Sequence, residues 1–327
     1  MKVAFVPLFR NFCFFLFILF AHKVPARSYS LQITPRETDK SIANRYGDHF
    51  VAMNPWVIHR GVLFLFLPGT GSKATNYKLI CETAADQGFH ALSLQYPNEK
   101  SVNFSCAQSK DLGCNEKMRR EILFGSDFSP LVNVNRDNCI ENRLVKLLTY
   151  LSQQFPLDGW EQFLTSGGAP RWSKILVAGH SQGGGHAALI GKYYSTAGVI
   201  MFSTMDYNYK LKKPAAWIHL NSQTKIDKFF AVSHTGDQTM PYFIMRKYWN
   251  SFGFKRLGPV ANIDRLGSPY NNAHALSTSI APSRLDKEKS NYHNVICMDA
   301  DTPLSVDGRA LLTDLWVYLL NAPLGKK

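Results

Sequence analysis

The chain has 327 residues, 45% of them hydrophobic and 19% charged, and a formal net charge of +13. That size allows one large domain or two small ones, and no repeat or low-complexity stretch points to a fibrous or disordered protein. The basic residues are scattered, with only short clusters such as Lys210, Lys212 and Lys213, so nothing marks a nucleic-acid groove, although such a surface permits peripheral contact with an anionic membrane.

The first segment has a basic start, Lys2 and Arg10, then the apolar run Phe12 to Ala21, then Val24-Pro25-Ala26. A positive start, a short apolar run and a small-residue site describe a secretory signal peptide, residues 1–26. The run is short for a bilayer span, so an uncleaved anchor is the lesser reading. A secreted or periplasmic location follows, with 27–327 as a single domain. Export permits disulfides. Cys106 and Cys114 are close in a polar stretch and are the first candidates for a bridge, with Cys139 as competitor; Cys81 reads as a buried thiol in a helix. Asn103-Phe104-Ser105 has the form of a glycosylation acceptor.

Residues 27–60 are mixed, with His49 to Met53 as an edge strand. Val62 to Leu67 is continuous and apolar, as expected of a central parallel strand. It stops at Pro68-Gly69-Thr70-Gly71-Ser72 and feeds an amphipathic helix from Asn76 to Gln87, closed by Gly88. Phe89 to Leu94 is the next strand, which completes a βαβ unit with a right-handed crossover. The polar, turn-rich stretch 98–137 reads as an insertion over one end of the sheet. A helix over 138–154 carries Ile140, Leu144, Leu147, Leu148 and Leu151 at helical spacing. Strands follow at 175–178, 199–202, 229–233 and, last, 260–263. Helices are expected over 241–252 and 309–320. Strands alternating with helices predict an α/β fold with a doubly wound, mostly parallel sheet.

The most informative stretch is Lys174 to Lys192. A buried strand runs into Gly179-His180-Ser181-Gln182-Gly183, and a helix opens at once. So tight a strand-to-helix turn strains its central residue, and a Cβ on either flanking glycine would clash. Ser181 is thereby held above the sheet end, beside the N–H of Gln182 and a helix N-terminus. That is the setting of an activated nucleophile with half of an oxyanion hole.

Ligands of open α/β sheets bind at the carboxyl ends of the strands. After the strand ending at Leu67, the N–H of Gly69 or of Thr70 is placed to pair with that of Gln182. After the strand ending at Ser233 comes His234-Thr235-Gly236-Asp237. Asp237 is the candidate acid, and Asp206, past the preceding strand, is its rival. If the chain order is Ser, acid, His, the base is His274 or His293. His274 directly follows the predicted last strand and is put ahead on topology; His293 needs 275–292 to carry it back, for instance as a hairpin of 276–280 with 295–298. His180 is expected to point away from the serine, and His234 to serve the turn. There is no H-E-x-x-H and no paired C-x-x-C, so neither metal nor other cofactor is expected.

These features together resemble the α/β-hydrolase superfamily, with Gly-His-Ser-Gln-Gly-Gly closest to lipases, esterases and cutinases. The resemblance covers roughly 60–320 in topology. It implies Ser181 as nucleophile, Asp237 as acid, His274 or His293 as base, and Gln182 with Gly69 or Thr70 as oxyanion donors. It further implies an exported hydrolase of carboxylic esters, with a small-molecule or lipid ester as substrate. A serine peptidase or amidase, or a non-catalytic binding protein on the same fold, are the alternatives. The chain departs from the commonest pattern in having Pro68 where many lipases carry the histidine of an HG pair. Its insertion also follows an early strand, not the strand after the elbow.

Overall fold

A computed structural model describes residues 1, 29–43, 46–283 and 291–325; apart from Met1, the predicted signal peptide lies outside the described residues. Eleven strands occur among them: β1 (Tyr29–Ile33), β2 (His49–Met53), β3 (Leu63–Leu67), β4 (His90–Ser93), β5 (Ile175–His180), β6 (Gly198–Phe202), β7 (Tyr207–Asn208), β8 (Lys213–Pro214), β9 (Phe229–His234), β10 (Ala261–Asn262) and β11 (Ala275–Thr278). Nine form one sheet in the order β1-β2-β4-β3-β5-β6-β9-β11-β10, while β7 and β8 pair as a small ribbon. The pairs β1/β2 and β2/β4 are antiparallel; every other pair in the large sheet is parallel.

The helices are α1 (Pro35–Thr38), α2 (Lys78–Asp86), α3 (Val102–Cys106), α4 (Cys114–Phe124), α5 (Ile140–Gln154), α6 (Gln182–Tyr193), α7 (Tyr242–Phe252), α8 (Asn291–Asn294) and α9 (Thr313–Asn321). Successive residues of the central strands point to opposite faces. Leu63, Leu65, Ile175, Val177, Val199 and Met201 therefore share one core with α4, α5 and α6. Phe64, Phe66, Leu176, Ala178, Ile200 and Phe202 share the other with α2 and α9. This is why β3, β5 and β6 read as continuous apolar runs: both faces are covered. The fold is α/β with a doubly wound, mostly parallel sheet.

The structure differs from the sequence reading at both flanks of the sheet. β1 was not foreseen, although Tyr-Ser-Leu-Gln-Ile has the alternation of a half-buried strand; it makes β2 an interior strand. β10 is not the last strand. Ala275–Thr278 follows it in the chain and inserts between β9 and β10, parallel to both. The hairpin of 276–280 with 295–298, one way of carrying His293 back, does not form: Ala275–Thr278 pairs with β9 and β10, and 295–297 is a turn after α8. In the stretch 98–137, α3 borders a cavity at the strand ends. The second helix, α4, sits in the helical layer, with Met118 and Ile122 in the core. Cys106 and Cys114 are disulfide-bonded and join α3 to α4, whereas Cys81, Cys139 and Cys297 are buried free thiols. Leu311 precedes the closing helix and is exposed.

Candidate active site

Ser181 is the single residue between β5 and α6. Its φ of 52° and ψ of −115° lie where side-chain-bearing residues are strained. Two hydrogen bonds hold it there: its N–H donates to the Phe202 carbonyl at 2.8 Å, and its carbonyl accepts from Gly185 at 3.2 Å. A Cβ on Gly179 would run into the Gly183 carbonyl carbon, and one on Gly183 into the Leu67 carbonyl oxygen. The glycine pattern thus records how closely β3, β5 and α6 approach one another.

Asp237 lies in the turn after β9. Its Oδ1 accepts from the N–H groups of Thr239 at 2.8 Å and Met240 at 2.7 Å. Its Oδ2 is 2.7 Å from His293 Nδ1, on α8. A carboxylate only accepts, so Nδ1 carries the proton and Nε2 is left as the acceptor. Ser181 and His293 both line one cavity of about 840 Å³ at the carboxyl ends of the strands.

His274 is not brought to Asp237. It precedes β11 and so stands at the amino end of the sheet. Its Nδ1 is 3.1 Å from the Phe229 carbonyl, and its ring stacks on Phe230 with centroids 4.4 Å apart. The preference for His274 rested on reading β10 as the last strand. The additional strand β11 reverses the geometry, because residues before a parallel strand lie at the far end from those after it. The rival acid Asp206 is also committed elsewhere. Both of its oxygens bind Arg119 of α4, at 2.6 and 2.7 Å, and Oδ2 accepts from the Trp217 indole at 2.7 Å. Arg119 is fully buried and donates on to the Gln182 carbonyl at 2.8 Å. It occupies the space that a Cβ on Gly185 would fill.

His180 lines the same cavity, its ring centroid 4.8 Å from that of His293, and is part of the site's frame. The Gly69 N–H donates to the Tyr77 hydroxyl at 3.2 Å, and that hydroxyl lies 3.0 Å from His180 Nδ1. His180 Nε2 lies 3.0 Å from the His293 carbonyl. A carbonyl needs a donor, so Nε2 is protonated and Nδ1 accepts from Tyr77. Burial, then the neighbouring His293, pushes His180 down to about 3, which keeps it neutral. The chain of bonds ties together the loop after β3, the elbow and the segment bearing His293. Sequence reasoning missed Tyr77 and Arg119, because neither belongs to a motif and both arrive through space. His234 closes its own turn, accepting from the Gly236 N–H at 2.9 Å.

The loop after β3 is fixed by Asn98, whose amide donates to the Gly69 carbonyl at 2.6 Å. Since the Gly69 N–H is taken by Tyr77, it is not a free donor. The N–H groups of Thr70 and Gln182 make no hydrogen bond among the described residues, and the first N–H groups of a helix have no partner within it. The Gln182 side chain locks this corner: its Oε1 accepts from the Thr70 hydroxyl and from the Val102 N–H, both at 3.0 Å. Chemically, the arrangement offers a hydroxyl, an imidazole acceptor oriented by a carboxylate, and Thr70 with its open N–H around one cavity, with the open N–H of Gln182 next to Ser181. Among the described residues no group of three or more metal-ligating side chains occurs, and no helix is long and apolar enough to cross a membrane.

No protein-family profile matches the chain, and no curated protein does. Among solved structures, the crystal structure of TT1662 from Thermus thermophilus is similar at the level of the fold. It is 10% identical, with 92% of this chain and all of that one covered, at a TM-score of 0.42.

Proposed function

We propose that the protein is an exported serine hydrolase that cleaves carboxylic esters. The observation that carries this reading is the convergence of Ser181, strained at its elbow, and the Asp237-bound His293 on one cavity. In this reading His293 Nε2 takes the Ser181 proton as Oγ attacks the acyl carbon. The oxyanion that forms is held by the N–H groups of Thr70 and Gln182. His293 then passes its proton to the leaving alkoxide, and the C–O bond breaks. Water, deprotonated by the same nitrogen, attacks the acyl-serine; carboxylate leaves and Ser181 is restored. Asp237 stays ionised and holds the imidazolium. Esters are favoured over amides because an alkoxide is a better leaving group than an amide nitrogen, which asks less of the one histidine.

The test is labelling with a fluorophosphonate, followed by peptide mapping, on the wild type and on Ser181→Ala. A single adduct at Ser181, together with a loss of p-nitrophenyl acetate turnover of several orders of magnitude in the variant, is the expected result. A folded wild type that neither labels nor turns over esters overturns the proposal.

A further inference from the structure

The walls of the cavity say which ester it is shaped for, an inference that rests on the hydrolase reading above. Beyond the reacting groups the lining mixes hydrogen-bonding side chains, Ser72, Ser101, Asn103, Gln108, Thr239, Asn294 and Asp301, with apolar surface. Several have unused capacity. Gln108 is exposed, and no hydrogen bond of its amide occurs among the described residues. The Ser101 oxygen accepts from the Phe104 N–H at 3.2 Å, leaving its proton to donate. Asn103 uses Oδ1 to accept from the Tyr207 N–H at 3.0 Å, and its amide protons meet only the Met240 sulfur at 3.8 Å.

Two aromatic rings also line the cavity. Phe104 on α3 is 84% exposed, and Tyr209 beyond β7 is 36% exposed. The Asn103–Tyr207 bond and a 3.2 Å bond from the Lys210 N–H to the Ala107 carbonyl hold these segments together. The disulfide ties α3 to the body of the protein. The two rings are thus presented on a braced frame.

A long acyl chain gains binding energy from each methylene that it places against apolar wall. Here the apolar patches of Phe104, Ala107, Met240 and Met298 alternate with Ser101, Asn103, Gln108 and Thr239, so an extended chain would also bury amides and hydroxyls that it cannot satisfy. A polyhydroxylated ring is the opposite case. Its edges exchange hydrogen bonds with amides and hydroxyls, and its C–H faces pack on aromatic rings. We infer that the substrate is a short acyl ester carried on a carbohydrate, with the sugar between Phe104 and Tyr209 and its hydroxyls on Gln108, Ser101 and Asn103. The bond broken is the acyl C–O bond, and the leaving group is a sugar alkoxide that takes the proton from His293.

The experiment compares kcat/KM for an O-acetylated oligosaccharide and for ethyl acetate, the same acyl group on carriers with and without hydroxyls. Tributyrin and triolein emulsions supply the lipid arm. The oligosaccharide should exceed ethyl acetate by on the order of a hundredfold, because hydrogen-bonding walls discriminate against a carrier that cannot satisfy them. Gln108→Ala should lower kcat/KM on the oligosaccharide by about three- to tenfold, and Phe104→Ala by about tenfold. The change should sit in KM and exceed the change on p-nitrophenyl acetate. Preference for an emulsified lipid, or equal rates on the two acetates, overturns the inference while Ser181 labelling leaves the hydrolase reading standing. Absence of both turnover and labelling removes the two together.

Discussion

Replacing Asp237 by Asn changes one atom, and the structure dictates which way the amide must face. Oδ1 accepts from two N–H groups, Thr239 and Met240, at 2.8 and 2.7 Å, while Oδ2 meets His293 Nδ1 at 2.7 Å. If the amide keeps its oxygen toward the two backbone donors, its NH₂ faces His293. Nδ1 must then accept, Nε2 carries the proton, and the imidazole no longer serves as a base toward Ser181. If the amide flips, its NH₂ meets two N–H groups in a buried turn. Each donor left unpaired costs about 1–3 kcal/mol, against one restored bond to His293 worth roughly 1 kcal/mol. The unproductive orientation therefore wins. The expected loss in kcat is about 10⁴-fold, or roughly 5 kcal/mol of barrier, as for the same exchange in other serine triads. The measurement is kcat on p-nitrophenyl acetate, with circular dichroism and urea unfolding to show that the fold is kept. Asp206→Asn is the control. It weakens the buried pair with Arg119, so its effect should fall on the unfolding midpoint, with less than about a tenfold change in kcat. A folded Asp237→Asn variant that keeps a tenth or more of wild-type kcat refutes the assignment.

Two further outcomes follow from the same coordinates. His293→Ala should lose about 10³-fold or more in kcat/KM, whereas His274→Ala, at the other end of the sheet, should change it less than about threefold; the reverse ranking, measured on one activated ester, would return the base to His274. His180 is neutral when folded, pushed down to about 3 against an ordinary 6.5, so unfolding takes up a proton between those values. Its contribution to stability is complete above about pH 6.5 and shrinks as the pH falls, by up to about 1.4 kcal/mol per pH unit. Urea midpoints between pH 6.5 and 4 should fall less steeply in His180→Phe than in the wild type, and equal slopes in the two proteins would refute a buried neutral imidazole.

The parts of the site legible in the sequence are those dictated by backbone crowding. Gly179 and Gly183 admit no side chain, and that steric demand is written into the spacing around Ser181. The covered strands were legible for a related reason, since burial on both faces leaves only apolar residues. The flanks of the sheet were not. Ala275–Thr278 is short and includes Ser277 and Thr278, and it becomes a strand only because β9 and β10 offer edges on both sides. Missing it placed His274 at the wrong end. The choice between Gly69 and Thr70 was hidden as well, because Tyr77, eight residues on from Gly69, decides it by occupying one of the two N–H groups.

Arg119 divides the segment between β4 and α5 into two unlike halves. One half reaches under Ser181 through a guanidinium lodged against Gly185 and Gln182; the other, α3, lines the cavity with Asn103 and Phe104 and is bound to the first by a disulfide that spans eight residues. For anyone seeking to retarget the protein, that boundary defines a cassette. Exchanging residues 101–108 while retaining both cysteines and all of α4 alters the cavity wall without unseating the elbow. Excising the whole stretch would remove a buttress of the Ser181 elbow along with that wall.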